Sequence, residues 1–203
     1  MDNTILVFNG KGGVGKTPIS FNIAYDLGLS IITNDKSALL GCYKDKTTLS
    51  HTLPYQKNTL YDCGGFAAPG ILDIARQVDL VIVPVFNEPS ALIQTKDTLK
   101  QILPIAKNVI VVATRTENKD FDIIKNSIDK HYPSLKFFNL PLIKAFTHSL
   151  KKGKSLKTLI TTDKIQANWF GDFYISYYKP FFLYILMQLE ISDFEDSICL
   201  TTK

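Results

Sequence analysis

Eight residues near the start of the chain have the types and the spacing that bind phosphate. Glycines let the backbone curl so that successive N–H groups point at phosphate oxygens. Lys16 would reach the β- and γ-phosphates of a nucleotide, and the Thr17 hydroxyl would bind Mg²⁺. The pattern G-x-x-x-x-G-K-[ST] is matched by Gly10, Lys11, Gly12, Gly13, Val14, Gly15, Lys16 and Thr17. The sequence therefore predicts a nucleotide-binding loop that these residues form together with Pro18.

The segments on either side of this loop fit it. A strand-like apolar run from Thr4 to Phe8 precedes it, and a helix-like pattern from Ile19 to Leu27 follows. The helix would direct the positive end of its dipole at the same anion. Pro18 is compatible with this arrangement, because the first helical turn needs no N–H from that residue.

Lys11 is a second lysine in the loop, at a position where an ordinary phosphate loop requires none. With it, the motif closely resembles the deviant Walker A motif of the ParA/MinD family of ATPases. In that family the matching lysine crosses a dimer interface to the partner's nucleotide. The resemblance implies a homodimer that forms through bound ATP with Mg²⁺, in which Lys11 and Lys16 neutralise phosphate charge during catalysis.

Strand-like runs alternate with helical patterns along the rest of the chain. We expect helices at about 67–78, 89–103 and 120–131, between continuous apolar runs that are typical of buried parallel strands. This alternation predicts one domain, residues 1–203, with a doubly wound, mostly parallel α/β sheet flanked by helices. The resemblance assigns it to the P-loop NTPase folds. The remaining runs are 30–33, 59–61, 79–85, 108–113 and 136–141.

Two aspartates follow strand-like runs, at the sheet edge where such folds bind ligands. The resemblance implies that Asp62 holds Mg²⁺ through a water and that the glycines after it, Gly64 and Gly65, permit a switch movement. It also implies that Asp35 orients the attacking water. The family usually has a second aspartate two residues earlier, where this chain has Thr33. A turn or helix N-cap is the alternative role for Asp35.

Arg115 follows the fifth run and matches part of the family's base-contacting loop, which often reads Asn-Arg. The resemblance implies that Arg115 contacts the nucleotide base. Thr114 replaces the asparagine, which leaves purine selectivity open. A surface loop is the alternative.

Lysines are concentrated in a late segment of the chain. They could form a patch that contacts the DNA backbone independently of sequence and in a salt-dependent manner. The alternative is a solvated face, with Lys151 and Lys152 complementing a helix dipole before Gly153. Plasmid members of the resembled family bind nonspecific DNA when ATP is bound, which favours the patch. Its members are Lys144, Lys151, Lys152, Lys154, Lys157 and Lys164.

The stretch from Trp169 to Ile191 is rich in aromatic and apolar residues. We expect a helix at about 164–192 that packs on the sheet. An amphipathic membrane tail, as in MinD-like relatives, is the alternative. The acidic residues Asp193, Glu195 and Asp196 disfavour an anionic membrane surface.

Composition sets outer limits on the class of protein. Of 203 residues, 45% are hydrophobic and 21% charged, which excludes a disordered chain. The net charge of +4 permits nucleic-acid binding but does not argue for it alone. Three cysteines show no zinc or disulfide spacing, and the first residues show no basic leader, so we expect a cytoplasmic protein.

The leading hypothesis is a ParA-type DNA partition ATPase. It would bind nonspecific DNA as an ATP-bound dimer, hydrolyse ATP slowly until a centromere-binding adaptor protein stimulates it, and associate with the nucleoid. Two alternatives remain: a MinD-like membrane-associated positioning ATPase and a metabolic ligase of the dethiobiotin synthetase type. The ligase shares the fold but does not require Lys11.

Overall fold

The computed structural model describes residues 3–64, 70–141 and 143–191. Within them, seven strands form one sheet in the order β3-β2-β4-β1-β5-β6-β7, and every pairing is parallel. This confirms the predicted doubly wound fold. The strands are β1 (Thr4–Asn9), β2 (Ser30–Thr33), β3 (Thr47–Leu49), β4 (Thr59–Gly64), β5 (Leu80–Val85), β6 (Val109–Thr114) and β7 (Lys136–Leu140).

Helices cover both faces of the sheet, because alternate residues of each buried strand point to opposite sides. On one face Leu6 and Phe8 pack against α3 (Ile71–Gln77), α4 (Pro89–Ile102) and α5 (Asp120–Asp129). On the other, Ile5 and Val7 pack against the remaining main helices. These are α1 (Lys16–Leu27), α2 (Leu39–Cys42), α6 (Ile143–Lys152), α7 (Leu156–Thr162), α8 (Lys164–Phe173) and α9 (Lys179–Gln188).

The predicted helices at 89–103 and 120–131 correspond to α4 and α5. Helix α3 begins at Ile71; residues 65–69, where the prediction places its start, lie outside the described residues. Strand β3 was not predicted. It has only three residues and depends on its pairing with β2, a tertiary contact that leaves little periodic signal.

Helices α8 and α9 are continuous through a π-helical segment, Tyr174–Tyr178. The N–H of Lys179 bonds to the carbonyl of Tyr174, five residues earlier. The wider turn accommodates Pro180, which cannot donate the usual helical hydrogen bond. The inner side of this span packs on the sheet through rings such as Phe181, whose centroid lies 5.4 Å from that of Phe138. In the described part of the chain, no helix is long and apolar enough to cross a membrane.

Candidate functional site

The loop between β1 and α1 adopts a conformation that its glycines allow. Gly13 and Gly15 have φ values of 76° and 90°, in the left-handed region that side chains disfavour. Gly15 caps α1, which begins at Lys16. The loop N–H groups and the helix N-terminus therefore face the same space, as anion binding requires.

Lys16 is buried under this loop. Its Nζ donates to the carbonyl oxygens of Asn9 (3.1 Å) and Lys11 (2.9 Å). Burial lowers the pKa of Lys16, and the charges of Asp62 and Asp35 oppose that shift. A phosphate group beside Nζ would supply further negative charge and so favour the protonated amine. The side chain is thus placed to bind an anion more strongly than it binds neutral carbonyls.

Asp62 joins the end of β4 to the first turns of α1. The Thr17 hydroxyl donates to its Oδ2 (2.8 Å), and the Ser20 hydroxyl donates to its Oδ1 (2.9 Å). Burial raises the pKa of Asp62 despite both hydrogen bonds and the charge of Lys16. A cation beside this carboxylate would reverse that effect.

These residues fit Mg²⁺ as a partner of a nucleotide. Mg²⁺ prefers oxygen ligands and usually takes one or two from protein, with water and phosphate supplying the rest. Thr17 and Asp62 offer a hydroxyl and a carboxylate at the edge of the phosphate loop. No group of three or more histidine, cysteine, aspartate or glutamate side chains suited to a metal occurs among the described residues, so an all-protein metal cage is not found there.

A cavity of about 350 Å³ brings most of the predicted residues together. Asp35 lies at its mouth and is exposed, close to Gly64. The neighbouring Asn34 keeps Asp35 close to Gly64, because its side-chain amide donates to the Gly64 carbonyl (3.1 Å) and accepts from the Gly64 N–H (2.8 Å). Gly65, predicted to act in a switch, lies outside the described residues. The lining is Gly12, Gly13, Gly15, Lys16, Thr17, Pro18, Asp35, Asp62, Gly64 and Arg115.

Arg115 and Thr114 lie at the end of β6, beside the loop. Arg115 has a positive φ of 55°, and its guanidinium carbon lies 5.7 Å from the centroid of the Phe86 ring. The Thr114 hydroxyl donates to the carbonyls of Val14 (3.0 Å) and Val85 (3.2 Å), so it is occupied within the protein. Of these two residues, only Arg115 lines the cavity.

Lys11 is not part of the cavity lining. Its Nζ donates to the Ser90 hydroxyl (2.6 Å) and lies 3.3 Å from Glu88 Oε2, at the start of α4. The Ser90 hydrogen bond and the Lys11 charge lower the pKa of Glu88. The two lysines of the motif therefore differ in position: Lys16 is buried beside the cavity, whereas Lys11 is held outside it.

Sequence reasoning missed Ser20, Glu88 and Ser90. A signal existed for Ser20, because it follows Thr17 by three residues and so lies on the same side of α1. Glu88 and Ser90 follow the carboxyl end of β5, as Asp35 follows that of β2, whereas Asp62 lies within the last residues of β4. Their contact with Lys11 spans almost 80 residues and could be found only in the structure.

The predicted lysine patch is distributed over α6, α7, the turn between them and the start of α8. A buried amide connects two of these helices to the phosphate-loop helix. Asn22 of α1 donates to Ser149 of α6 (2.7 Å) and accepts from the N–H of Leu156 at the start of α7 (2.7 Å). Lys144, Lys151, Lys152, Lys154 and Lys164 are exposed, and Lys157 is partly exposed.

A larger cavity, of about 490 Å³, lies at the opposite edge of the sheet. Its lining includes Asn108 and Lys136, next to the starts of β6 and β7, and Tyr184 of α9. It lacks the glycine loop and the paired hydroxyl and carboxylate. The smaller cavity is therefore the better candidate for nucleotide.

Comparisons with known proteins agree with the fold. No family model matches the chain, and no curated protein matches it. Cyanothece apo McdA has a TM-score of 0.65 and 14% identity, over 92% of this chain and 99% of that one. Pyrococcus horikoshii MinD, a septum site-determining protein complexed with Mg-ADP, has a TM-score of 0.59 and 12% identity, over 81% and 91%.

A putative plasmid partition protein from Borrelia burgdorferi, bound to AMPPNP, has a TM-score of 0.54 and 13% identity, over 76% of this chain and 91% of that one. These solved structures belong to ParA/MinD-type ATPases, the family that the loop motif resembles. Two of them were solved with an adenine nucleotide or its analogue, one of these with magnesium, in agreement with the expected ATP and Mg²⁺.

Proposed function

We propose that this chain is a ParA-type partition ATPase. It binds ATP with Mg²⁺, dimerises across the bound nucleotide, retains nonspecific DNA in that state and hydrolyses ATP when an adaptor protein stimulates it. The observation that carries the proposal is the placement of the two motif lysines. Lys16 is buried beside a cavity that holds Thr17 and Asp62, and Lys11 lies outside the cavity on a partly exposed surface.

Each cavity residue has a separate role in phosphoryl transfer to water. Lys16 and the loop N–H groups bind the phosphates, and Thr17 and Asp62 would hold Mg²⁺, which would supply positive charge beside them. Asp35 at the mouth is exposed, so its carboxylate can accept a hydrogen bond from the attacking water. The water oxygen bonds to the γ-phosphorus as the bond to the β–γ bridging oxygen breaks, which gives ADP and phosphate; one proton of the water stays on the phosphate and the other passes to solvent.

Lys11 links this chemistry to a second subunit. Its contacts with Ser90 and Glu88 are partly exposed and therefore weak enough to exchange. The phosphates of a partner's nucleotide carry more negative charge than one carboxylate. Transfer of Lys11 from Glu88 to those phosphates would make dimerisation depend on the nucleotide.

The lysine patch supplies a surface for DNA. The segment from Pro141 to Thr162 contains five lysines and no acidic residue. Such a surface attracts phosphate backbones without reading sequence. Asn22 connects α1, which carries Lys16 and Thr17, to α6 and α7, and thus offers a route by which nucleotide state reaches the patch.

The test is retention on nonspecific duplex DNA with ATP, ADP or no nucleotide, over a series of salt concentrations. We expect retention with ATP but not with ADP or without nucleotide, and we expect this retention to weaken steeply as salt rises. Lys11→Ala is the control, since it should bind ATP yet lose the dimer and the DNA. Equal retention on DNA in all three nucleotide states would contradict the proposal. So would the absence of retention by a protein that binds ATP and dimerises. The second result would instead direct attention to vesicle binding.

A further inference from the structure

The outer side of the continuous helical span from Lys164 to Gln188 presents apolar residues to solvent. Trp169 and Met187 are 65% and 72% exposed, and four further large apolar side chains on this span are at least 38% exposed. No other described element covers them. They are Ile165, Ile175, Tyr177 and Leu183.

Seven of the exposed positions form one seam along the span. Successive members are separated by 4, 3, 4, 4, 3 and 4 residues, and all seven are exposed. Alternating spacings of 4 and 3 residues keep side chains on one side of an α-helix. Two consecutive spacings of 4 would rotate the row of side chains around the helix axis. The wider turn of the π-helical segment absorbs the extra residue. The seam is Ile165, Trp169, Asp172, Ser176, Pro180, Leu183 and Met187.

This spacing is symmetric about Ser176. In an antiparallel pairing of two such helices, Trp169 of one copy lies opposite Leu183 of the other, and Ile165 lies opposite Met187. The flanking Ile175 lies opposite Tyr177. Ser176, whose side chain is small, falls at the two-fold axis and permits close approach. A two-fold interface requires this kind of self-complementary surface.

The charges on the seam are also self-complementary. In the antiparallel register, Asp172 lies opposite Pro180 of the second copy and hence next to that copy's Lys179. The two-fold axis creates this pair twice. In a parallel register Asp172 would face itself, and like charges would repel. The charges therefore favour the same orientation as the apolar residues.

We propose that this face binds a second copy of the chain, antiparallel about Ser176, without nucleotide. An aromatic side chain carries about 150–250 Å² when fully exposed, and the six residues here, two of them aromatic, are 38–72% exposed. The six apolar residues therefore expose several hundred Å², a large part of the ~800 Å² per partner that a stable interface buries, and the polar seam residues between them add to it. This interface is separate from the one proposed at the phosphate loop, because it uses none of the residues around Lys11.

The first test is the mass of the nucleotide-free Lys11→Ala protein over a range of concentrations, by analytical ultracentrifugation. Lys11→Ala removes the proposed ATP-dependent dimer. If this variant forms no nucleotide-free dimer, the result therefore counts against the helix interface only and leaves the ATP-dependent dimer untouched. We expect a concentration-dependent dimer that Trp169→Glu weakens at least about tenfold. Ile93→Glu is the matched control, since Ile93 is an exposed apolar residue of α4, and it should leave the dimer unchanged.

The second test determines the register. Ile165→Cys and Met187→Cys single variants, each also carrying Cys42→Ser and Cys199→Ser, are mixed and oxidised. We expect the mixed disulfide to exceed both self-disulfides. A monomer at all concentrations, or preferential self-disulfides, overturns the proposal. The proposal is also overturned if the protein is monomeric and cosediments with phosphatidylcholine–phosphatidylglycerol vesicles in a manner that requires Trp169. That result would assign the face to lipid.

Discussion

The cavity proposed to bind nucleotide and the lysine patch hold their charges in opposite ways. In the cavity, Lys16 and Asp62 are buried, and each makes two hydrogen bonds. In the patch, Lys144, Lys151, Lys152 and Lys154 are exposed, and none forms an ion pair with another described residue. Buried charges interact strongly and specifically, whereas exposed charges act additively and are screened by salt.

This difference determines how each region should respond to substitution. A change in the cavity leaves a buried partner unsatisfied and should abolish one step. A change in the patch removes one of several similar contacts and should weaken binding by degrees. Residues that join the two regions should affect their coupling.

The largest effect is expected for Lys16→Ala. Loss of a charge-assisted contact in a buried site costs about 3 kcal/mol or more, so ATP affinity should fall at least about 100-fold. Isothermal titration with ATP and Mg²⁺ measures this. Lys11→Ala, which removes the same charge from the same loop but outside the cavity, should bind ATP nearly as the wild type does. Similar losses for both variants would show that the two lysines do not differ in role.

Asn22→Ala should uncouple the lysine patch from the cavity. It removes three hydrogen bonds, to Pro18, Ser149 and Leu156. Buried groups left unpaired should cost about 2–4 kcal/mol in the free energy of unfolding, which urea denaturation measures. We expect ATP affinity to be nearly retained while ATP-dependent retention on DNA falls. If DNA retention fell only in proportion to folded protein, Asn22 would be structural and not a coupling residue.

Asp26 lies where α1 meets α7 and the π-helical segment, and it gives this junction a pH dependence. Burial raises the pKa of Asp26 from 3.8 to about 6, against hydrogen bonds from Ser155 and Tyr178 and the charge of Lys157. Because the folded state binds this proton more tightly, its contribution to stability is complete below pH 4. That contribution, up to about 3 kcal/mol, is lost as pH rises towards 6 and beyond.

Asp26→Asn isolates this contribution from other carboxylates. The difference in the free energy of unfolding between the variant and the wild type should change between pH 4 and pH 7, with the wild type losing relative stability as pH rises. Urea denaturation at each pH measures it. Parallel pH curves for the two proteins would mean that Asp26 titrates normally in the folded state.

The smallest single effects are expected in the patch. Lys151→Gln and Lys154→Gln should each reduce DNA affinity a few-fold and lower the slope of log affinity against log salt by about one. Lys100→Gln and Lys130→Gln, on the exposed parts of α4 and the end of α5, are the matched controls and should change neither quantity. Unchanged salt slopes for the patch variants would remove this surface as the DNA site.

The parts of the molecule that were predictable depend on local geometry. The glycine loop, its flanking strand and helix, and the alternation of buried runs each leave a pattern within a few residues, and these gave the fold. The nearness of Thr17 to Asp62 follows from the parallel pairing of β1 with β4. The roles assigned to these residues remain predictions.

What could not be predicted arises from tertiary packing. The three-residue β3 exists only through its pairing with β2, and the π-helical segment precedes Pro180 in a helix that packs on the sheet. The contacts of Lys11 with Glu88 and Ser90 join residues that no local pattern relates. Such contacts become visible only when the chain is folded.

The central claim is that Lys11 closes a dimer across nucleotide bound beside Lys16. The most direct measurement is the mass of the protein with ATP or AMPPNP and Mg²⁺, at a concentration where the nucleotide-free chain is monomeric. We predict that wild type becomes a dimer and that Lys11→Ala stays a monomer with nucleotide bound. A wild type that remains monomeric when saturated with nucleotide, or a Lys11→Ala variant that dimerises equally well, would contradict it.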